Sequence, residues 1–404
     1  MIRLHVWLRG RHVDEFARVG ELATTDPDPQ GRFEAEFAYE PIGAMGTPDL
    51  DPASMRRIPA REMRSRQFEP PLAVFDDALP DGWGRRLLQR ELRERGLRPS
   101  PPEMLRHMGA RGLGALAFAE EAAQWGRELI EDSDALKALL EAADAFERGQ
   151  LQDNSKFRRL LQAGATPGGA RPKALVVEDG IKYLAKFPSS VLDEGHDIVG
   201  LEAVGLELAR SAGLLVPENH LRQVVARRVL LVRRFDVTQE GGRNHMVSFK
   251  TLCRERPGVV ALSYDELATA VRKFSAAPLE DLLALFRHAT FNAAFGNVDD
   301  HTKNFWMLHL AEGWRLAPAI DLVPDYQSRG EHCLAFGLQA HCPPRADLLA
   351  MGKRWDIERP AEVVDQVREA VSRFPAVARE LQVEGPIENI AGDVDRRLAL
   401  MGRT

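Results

Sequence analysis

Apolar residues occupy every second position at the start of the chain, Ile2, Leu4, Val6 and Leu8, until Arg9-Gly10 breaks the rhythm; Phe33, Ala35, Phe37 and Tyr39 repeat it. Period-two alternation sets one face of an extended segment on a core and the other in water, so both stretches predict half-buried strands. The Pro-, Asp- and Arg-rich run 41–71 has no such period and reads as a linker. Helical spacing then takes over. Leu87, Leu88 and Leu92 follow the Pro80-Asp81-Gly82 break, a second short helix is predicted near 102–108, an apolar strand at 113–118, and Ser133 is placed to cap a helix carrying Leu136, Leu139, Leu140 and Ala143. Two runs, 174–177 and 181–187, flank Asp179-Gly180, a strong hairpin signal. A helix over 198–212 stops at Gly213, Val216-Pro217 redirects the chain, and strand-like runs follow at 220–226 and 229–235. From there the pattern is helical, over 265–274, 279–295, 361–374 and 386–400.

These patterns predict an α+β protein with a β-rich N-terminal subdomain and a mostly helical C-terminal lobe. At 404 residues, 44% of them hydrophobic, the chain exceeds the size at which one core usually divides. The boundaries expected are 1–125, 126–236 and 237–404. A formal net charge of −6 argues against a nucleic-acid binder that works through an overall positive field. The three cysteines, Cys253, Cys333 and Cys342, form no C-x-x-C pair and fit a reducing compartment. His332-Cys333 and His341-Cys342 repeat a dipeptide, but at a separation that matches no common zinc spacing. The start of the chain lacks the continuous apolar stretch of a signal peptide, and no run is long enough to cross a bilayer. A soluble, cytoplasmic protein without membrane contact is expected.

Chemistry concentrates in N-V-D-D-H-T-K-N-F, 297–305, which sets Asp299 five residues before Asn304, with Asp321 following the next predicted hairpin. An aspartate able to orient a hydroxyl, then an asparagine and a second aspartate, is the set with which a protein kinase positions its nucleophile and holds magnesium. Taken singly, such residues only solvate a turn. Here an apolar run, 282–295, stops at Gly296 as at a left-handed cap, and Phe305-Trp306-Met307-Leu308 resumes as a buried strand. Charge wedged between two core elements calls for a bound cation or nucleotide.

Upstream, G-A-T-P-G-G-A-R-P-K, 164–173, lies just before the hairpin. The amides of Gly168, Gly169 and Ala170 can approach phosphates there, with Arg171 and Lys173 adding charge; a plain turn is the other reading of the glycine pair. No G-x-x-x-x-G-K-[ST] occurs, which disfavours a P-loop NTPase. On its strand Lys186 shares a face with Leu184 and Lys182, and in isolation it would be a solvated lysine. Glu202 changes that, because helical periodicity puts it on the apolar side with Ile198, Leu201, Gly205 and Ala209, where a carboxylate needs a cation. Strand lysine paired with helix glutamate is how kinases hold the α- and β-phosphates. The strand ending R-R-F-D falls where a two-lobed kinase has its hinge; Phe235 either packs on adenine or simply closes the core.

The ordered set F-D-D-A-L-P-D-G-W-G, P-G-G-A-R-P-K, Y-L-A-K-F-P, R-R-F-D, D-D-H-T-K-N-F and A-I-D-L-V-P, spread over nearly the whole chain, resembles the HipA-type serine/threonine kinases, toxins of bacterial toxin–antitoxin modules. The resemblance implies a bilobal protein-kinase-like fold with Asp299 as catalytic base, Asn304 and Asp321 holding Mg2+, Lys186 on the phosphates of ATP, and His301 and Lys303 as further nucleotide-side residues. It also sets Thr166 where the family carries a serine whose autophosphorylation ejects the glycine loop, and Arg233 where better-known members have an acidic residue near adenine. It implies a protein substrate of translation, aminoacyl-tRNA synthetases in the known cases, and a small helix-turn-helix, HipB-like antitoxin through which alone DNA is met. The alternatives are a catalytically weak kinase-fold co-repressor or scaffold, and a small-molecule kinase.

Overall fold

The computed structural model describes residues 1–12, 15–40, 47–58, 62–65, 72–121, 130–164, 168–193, 195–254 and 262–402; Thr166 lies outside them. The two alternating segments are strands, Ile2–Arg9 and Ala35–Tyr39, with Leu4, Val6, Phe37 and Tyr39 buried. Between them runs a strand the alternation did not reveal, Phe16–Thr24, antiparallel to both. Its register slips by one residue opposite Val6 and Trp7, so that Val19 and Gly20 are both buried and the period is lost. Glu62–Arg64 and Leu116–Ala119 complete a five-stranded sheet in the spatial order Glu62–Arg64, Ala35–Tyr39, Phe16–Thr24, Ile2–Arg9, Leu116–Ala119.

The described parts of 41–71 are not a linker. Leu50 and Met55 are buried, the Tyr39 hydroxyl accepts from Leu50 N and donates to the Met55 carbonyl, and Glu62–Arg64 pairs with the sheet. Composition misled there because a few anchoring apolar residues hold a polar segment down. The predicted helices appear as Gly82–Glu94 and Pro101–Met108, and the predicted strand begins late, at Leu116. The helix Leu136–Glu147 is entered through a short turn in which Asp132, rather than Ser133, takes an amide; the Ser133 hydroxyl accepts from Arg222 instead. A further helix, Asn154–Gly164, buries Phe157, Leu160 and Leu161.

Lys173–Glu178, Ile181–Lys186, Asn219–Val224 and Arg227–Arg233 form the second sheet with Glu131–Asp132 at its edge, and Ile198–Ser211 packs on Arg227–Arg233. A third, three-stranded sheet runs in the order His245–Ser248, Trp306–Leu310, Gly313–Leu316. The remaining mass is helical. Pro278–Phe295, fully buried over its second half from His288, is surrounded by Tyr264–Phe274, Pro360–Ser372 and Ile387–Gly402, and ends at Gly296 with a left-handed φ of 74°. The architecture is the α+β one expected, and among the described residues no helix is long and apolar enough to cross a membrane.

One buried carboxylate stitches these parts together. Asp236, at the end of R-R-F-D, takes Arg234 in a two-pronged ion pair at 3.0 and 2.7 Å, accepts the Gly114 amide of the N-terminal subdomain at 2.8 Å, and lies 3.8 Å from Arg243. These partners outweigh its burial and hold its carboxyl at about 2. The hairpin that follows is tied back to the first sheet by Gly242 N to the Arg11 carbonyl and Arg243 N to the Gly10 carbonyl.

Candidate active site

Lys186 ends the central strand of the second sheet, directly opposite Lys173 on the neighbouring strand. Both side chains are buried. Like charges in cross-strand register repel, so the pair exists only because two carboxylates enclose it. Glu202, from the helix Ile198–Ser211, meets Lys186 Nζ at 2.5 Å, and Asp321 is ion-paired with the same nitrogen. A Cβ at Gly205, one turn beyond Glu202, would strike the Leu322 carbonyl; only glycine lets the helix press against the segment that carries Asp321. Asp321 itself has a left-handed φ of 54°, a conformation aspartate tolerates better than most side chains.

The four groups titrate as a set. Burial works against charge on Lys186, but Asp321 and Glu202 overcome it and raise its pKa. Desolvation opposes charge on the part-buried Asp321 as well, yet Lys186 and Lys173 pull it well below the usual carboxylate range. Lys173 is lowered, chiefly by burial. Burial and the nearby Asp321 charge push Glu202 up against the pull of Lys186. Two cations and two anions thus form a neutral cluster at one end of a cavity of about 520 Å³ between the lobes.

Around the cavity the glycine loop, the strand end and the 297–305 loop converge. Gly168, Gly169, Ala170, Arg171, Lys173, Phe235, Asp299, His301, Lys303 and Asn304 all line it with Lys186, Glu202 and Asp321. Leu184, Leu206, Val232 and Val323 add an apolar wall, the surface a planar base requires. Lys173 Nζ donates to the Gly168 carbonyl at 2.7 Å. Arg171 is engaged beside the cavity, at 2.6 Å from Asp193 and 2.7 Å from the Tyr326 hydroxyl. Arg233 is turned outward onto Glu218 at 2.7 Å.

On the 297–305 loop, a short turn over Thr302–Asn304 brings the Asn304 side chain back to donate to the Asp299 carbonyl at 2.8 Å. The Asp299 carboxylate stays exposed, 3.6 Å from Arg329. Its neighbour points the other way. Asp300 has no exposed side-chain surface and is gripped by the Tyr264 hydroxyl at 2.6 Å, His332 Nδ1 at 3.0 Å and the Cys333 amide at 2.8 Å. Sequence reasoning gave Asp300 no role; two adjacent aspartates were the signal, because in an extended loop only one can face the cleft.

The donor set fits a magnesium–nucleotide pair. His301 Nδ1 is buried without a hydrogen-bond partner, and two buried ammonium groups line the same cavity as the glycine loop. Among the described residues no group of three or more His, Cys, Asp or Glu could hold a metal on protein ligands alone. Magnesium does not ask for one, since it takes one or two protein oxygens and completes its shell with phosphates and water.

Residues 165–377 match the HipA-like C-terminal domain and residues 4–119 the HipA N-terminal domain. The chain belongs to the HipA family. Its fold superposes on that of HipA from Shewanella oneidensis MR-1, solved as a toxin–antitoxin complex with HipB and operator DNA, with a TM-score of 0.68 and 18% identity over 98% of this chain and 95% of that one. A putative kinase from Sinorhizobium fredii, Y4mE, is 28% identical to this HipA-family chain over 149 residues, 35% of the chain. That match spans 34% of the relative's own length. The fold class is therefore the kinase-like, two-lobed HipA arrangement with its β-rich N-terminal subdomain.

Proposed function

We propose that this chain is an ATP- and Mg2+-dependent serine/threonine protein kinase that acts as the toxin of a toxin–antitoxin module. The observation that carries the reading is the meeting of Lys186, Glu202 and Asp321, 135 residues apart at the extremes, in the cavity that Asp299 and Asn304 also line. When bound, Mg–ATP supplies the transferable phosphoryl group. Phosphoryl transfer asks mainly for positioning and charge neutralisation, which is what this donor set offers. Lys186 and Lys173 would neutralise phosphate oxygens, Glu202 would keep Lys186 in place, Asn304 and Asp321 would hold the metal, and Asp299, exposed at the mouth, would accept the substrate hydroxyl proton. Phe235 and the apolar wall suit the adenine.

A protein of the translation apparatus, such as an aminoacyl-tRNA synthetase, is the substrate class the family resemblance implies. The Shewanella relative's complex with HipB and operator DNA supports a HipB-like antitoxin as partner. Thr166 is the proposed site of autophosphorylation; intact-mass measurement after incubation with Mg–ATP should show one added phosphate, lost in Thr166→Ala. The deciding experiment is radiolabelled phosphate transfer in a cell lysate by wild type and Asp299→Asn. The variant should lose transfer by about a hundredfold or more, the worth of a positioned base, while binding nucleotide as before. Turnover near wild type would remove Asp299 from its role.

A further inference from the structure

The glycine loop is held from outside its own lobe. Asp81, at the turn into the helix Gly82–Glu94 of the N-terminal subdomain, accepts the Gly169 amide on Oδ1 and lies 3.4 Å from Lys303 Nζ through Oδ2. Two residues on, Trp83 N donates to the Gly169 carbonyl at 2.8 Å. Both backbone polar groups of Gly169 are thus taken by a distant segment of the N-terminal subdomain. Gly82 makes the approach possible: its φ is +45°, and a Cβ there would sit on the Gly169 carbonyl. The same segment is fixed to the other lobe, where Asp77 accepts from Ser248 N at 2.9 Å and its hydroxyl at 2.6 Å, and Asp76 pairs with Lys250 at 3.2 Å. Although Asp81 is partly buried, Lys303 and the Gly169 amide lower its pKa, so it is charged at neutral pH.

We infer that Asp81 is a positioning residue for nucleotide binding: one carboxylate joins the glycine loop to the catalytic-loop lysine and makes the N-terminal subdomain part of the phosphate site. This rests on the reading of the cavity as a nucleotide site. A free glycine loop would have to be ordered by each incoming nucleotide, whereas a loop already pinned through Gly169 binds without that cost.

The test is calorimetric titration of the full chain with Mg–ATP, together with amide hydrogen exchange, for wild type, Asp81→Ala and Asp81→Asn. Asp81→Ala should weaken nucleotide binding about tenfold or more, the worth of a charge-assisted hydrogen bond, and raise KM for ATP more than it lowers kcat. Exchange at Gly169 and Ala170 should accelerate while the helix Gly82–Glu94 stays protected. Asp81→Asn keeps an acceptor for the amide and loses only the pairing with Lys303, so it should keep slow exchange and fall between the other two in affinity; it carries the test if the alanine variant does not fold. Wild-type affinity and wild-type exchange in Asp81→Ala would overturn the inference, as would loss of protection throughout the helix in both variants. A wild-type chain that fails to bind Mg–ATP would instead overturn the nucleotide reading, and the exchange at Gly169 would still decide whether Asp81 holds the loop.

Discussion

Replacing Glu202 by glutamine tests the neutral cluster most directly. The Lys186 and Glu202 side chains are 9% and 7% exposed, so the change leaves two buried ammonium groups facing a single carboxylate. Breaking a buried pair costs about 3–5 kcal/mol, and because the Asp321 side chain keeps 34% of its surface in water and takes up part of the load, the low end, about 3 kcal/mol, is expected. Glutamine preserves the shape, so the loss reports charge rather than packing. The structure also names the compensating change. Lys173→Met removes the surplus cation opposite Lys186, and in the Glu202→Gln background it should cost less than alone by about 1–2 kcal/mol of coupling. Urea unfolding followed by circular dichroism on wild type, both single variants and the double variant measures the cycle. A Glu202→Gln protein within about 0.5 kcal/mol of wild type, or strictly additive variants, would refute the argument, because an exposed pair behaves in that way.

Asp321→Asn should abolish the gain in ATP affinity that magnesium gives the wild type, read as the difference between titrations with magnesium and with EDTA; an undiminished gain would place the metal elsewhere. Burial lowers both His245 and His288 to about 4 from an ordinary 6.5, so the native chain leaves them neutral where the unfolded chain takes up protons. Stability should therefore be full above about pH 6.5 and decline as pH falls toward 4, by up to about 1.4 kcal/mol per pH unit for each histidine. His288→Leu should flatten that decline in unfolding curves taken across the window, and an unchanged slope would show that other groups set it.

Much of the site could be read in advance because its chemistry lies in short, ordered strings. Glu202 was found by helical period alone: a carboxylate on the face of Leu201 and Ala209 had to have a cation, and Lys186 supplied it. The catalytic loop stood out because its polar residues interrupt two apolar runs. Asp81 escaped since an aspartate before Gly-Trp-Gly looks like an ordinary helix start, and its partner Gly169 is remote in sequence. Asp300 escaped because burial in an irregular loop has no period to betray it. The strand Phe16–Thr24 was hidden by its register slip, and the segment around Leu50 and Met55 by a composition that suggests solvent while two side chains lie in the core.

A cleft that opens and shuts on its ligand needs a pivot, and Asp236 restricts where one can lie. It joins the last residues of the second sheet to Gly114 and Arg243 without exposing its charge, so swinging the N-terminal subdomain away from that strand would cost the buried, charge-assisted hydrogen bond from the Gly114 amide. Because Asp77 and Asp76 also hold Ser248 and Lys250 of the other lobe, the N-terminal subdomain clasps both walls of the cavity, and a molecule that grips its sheet would gain leverage on the mouth.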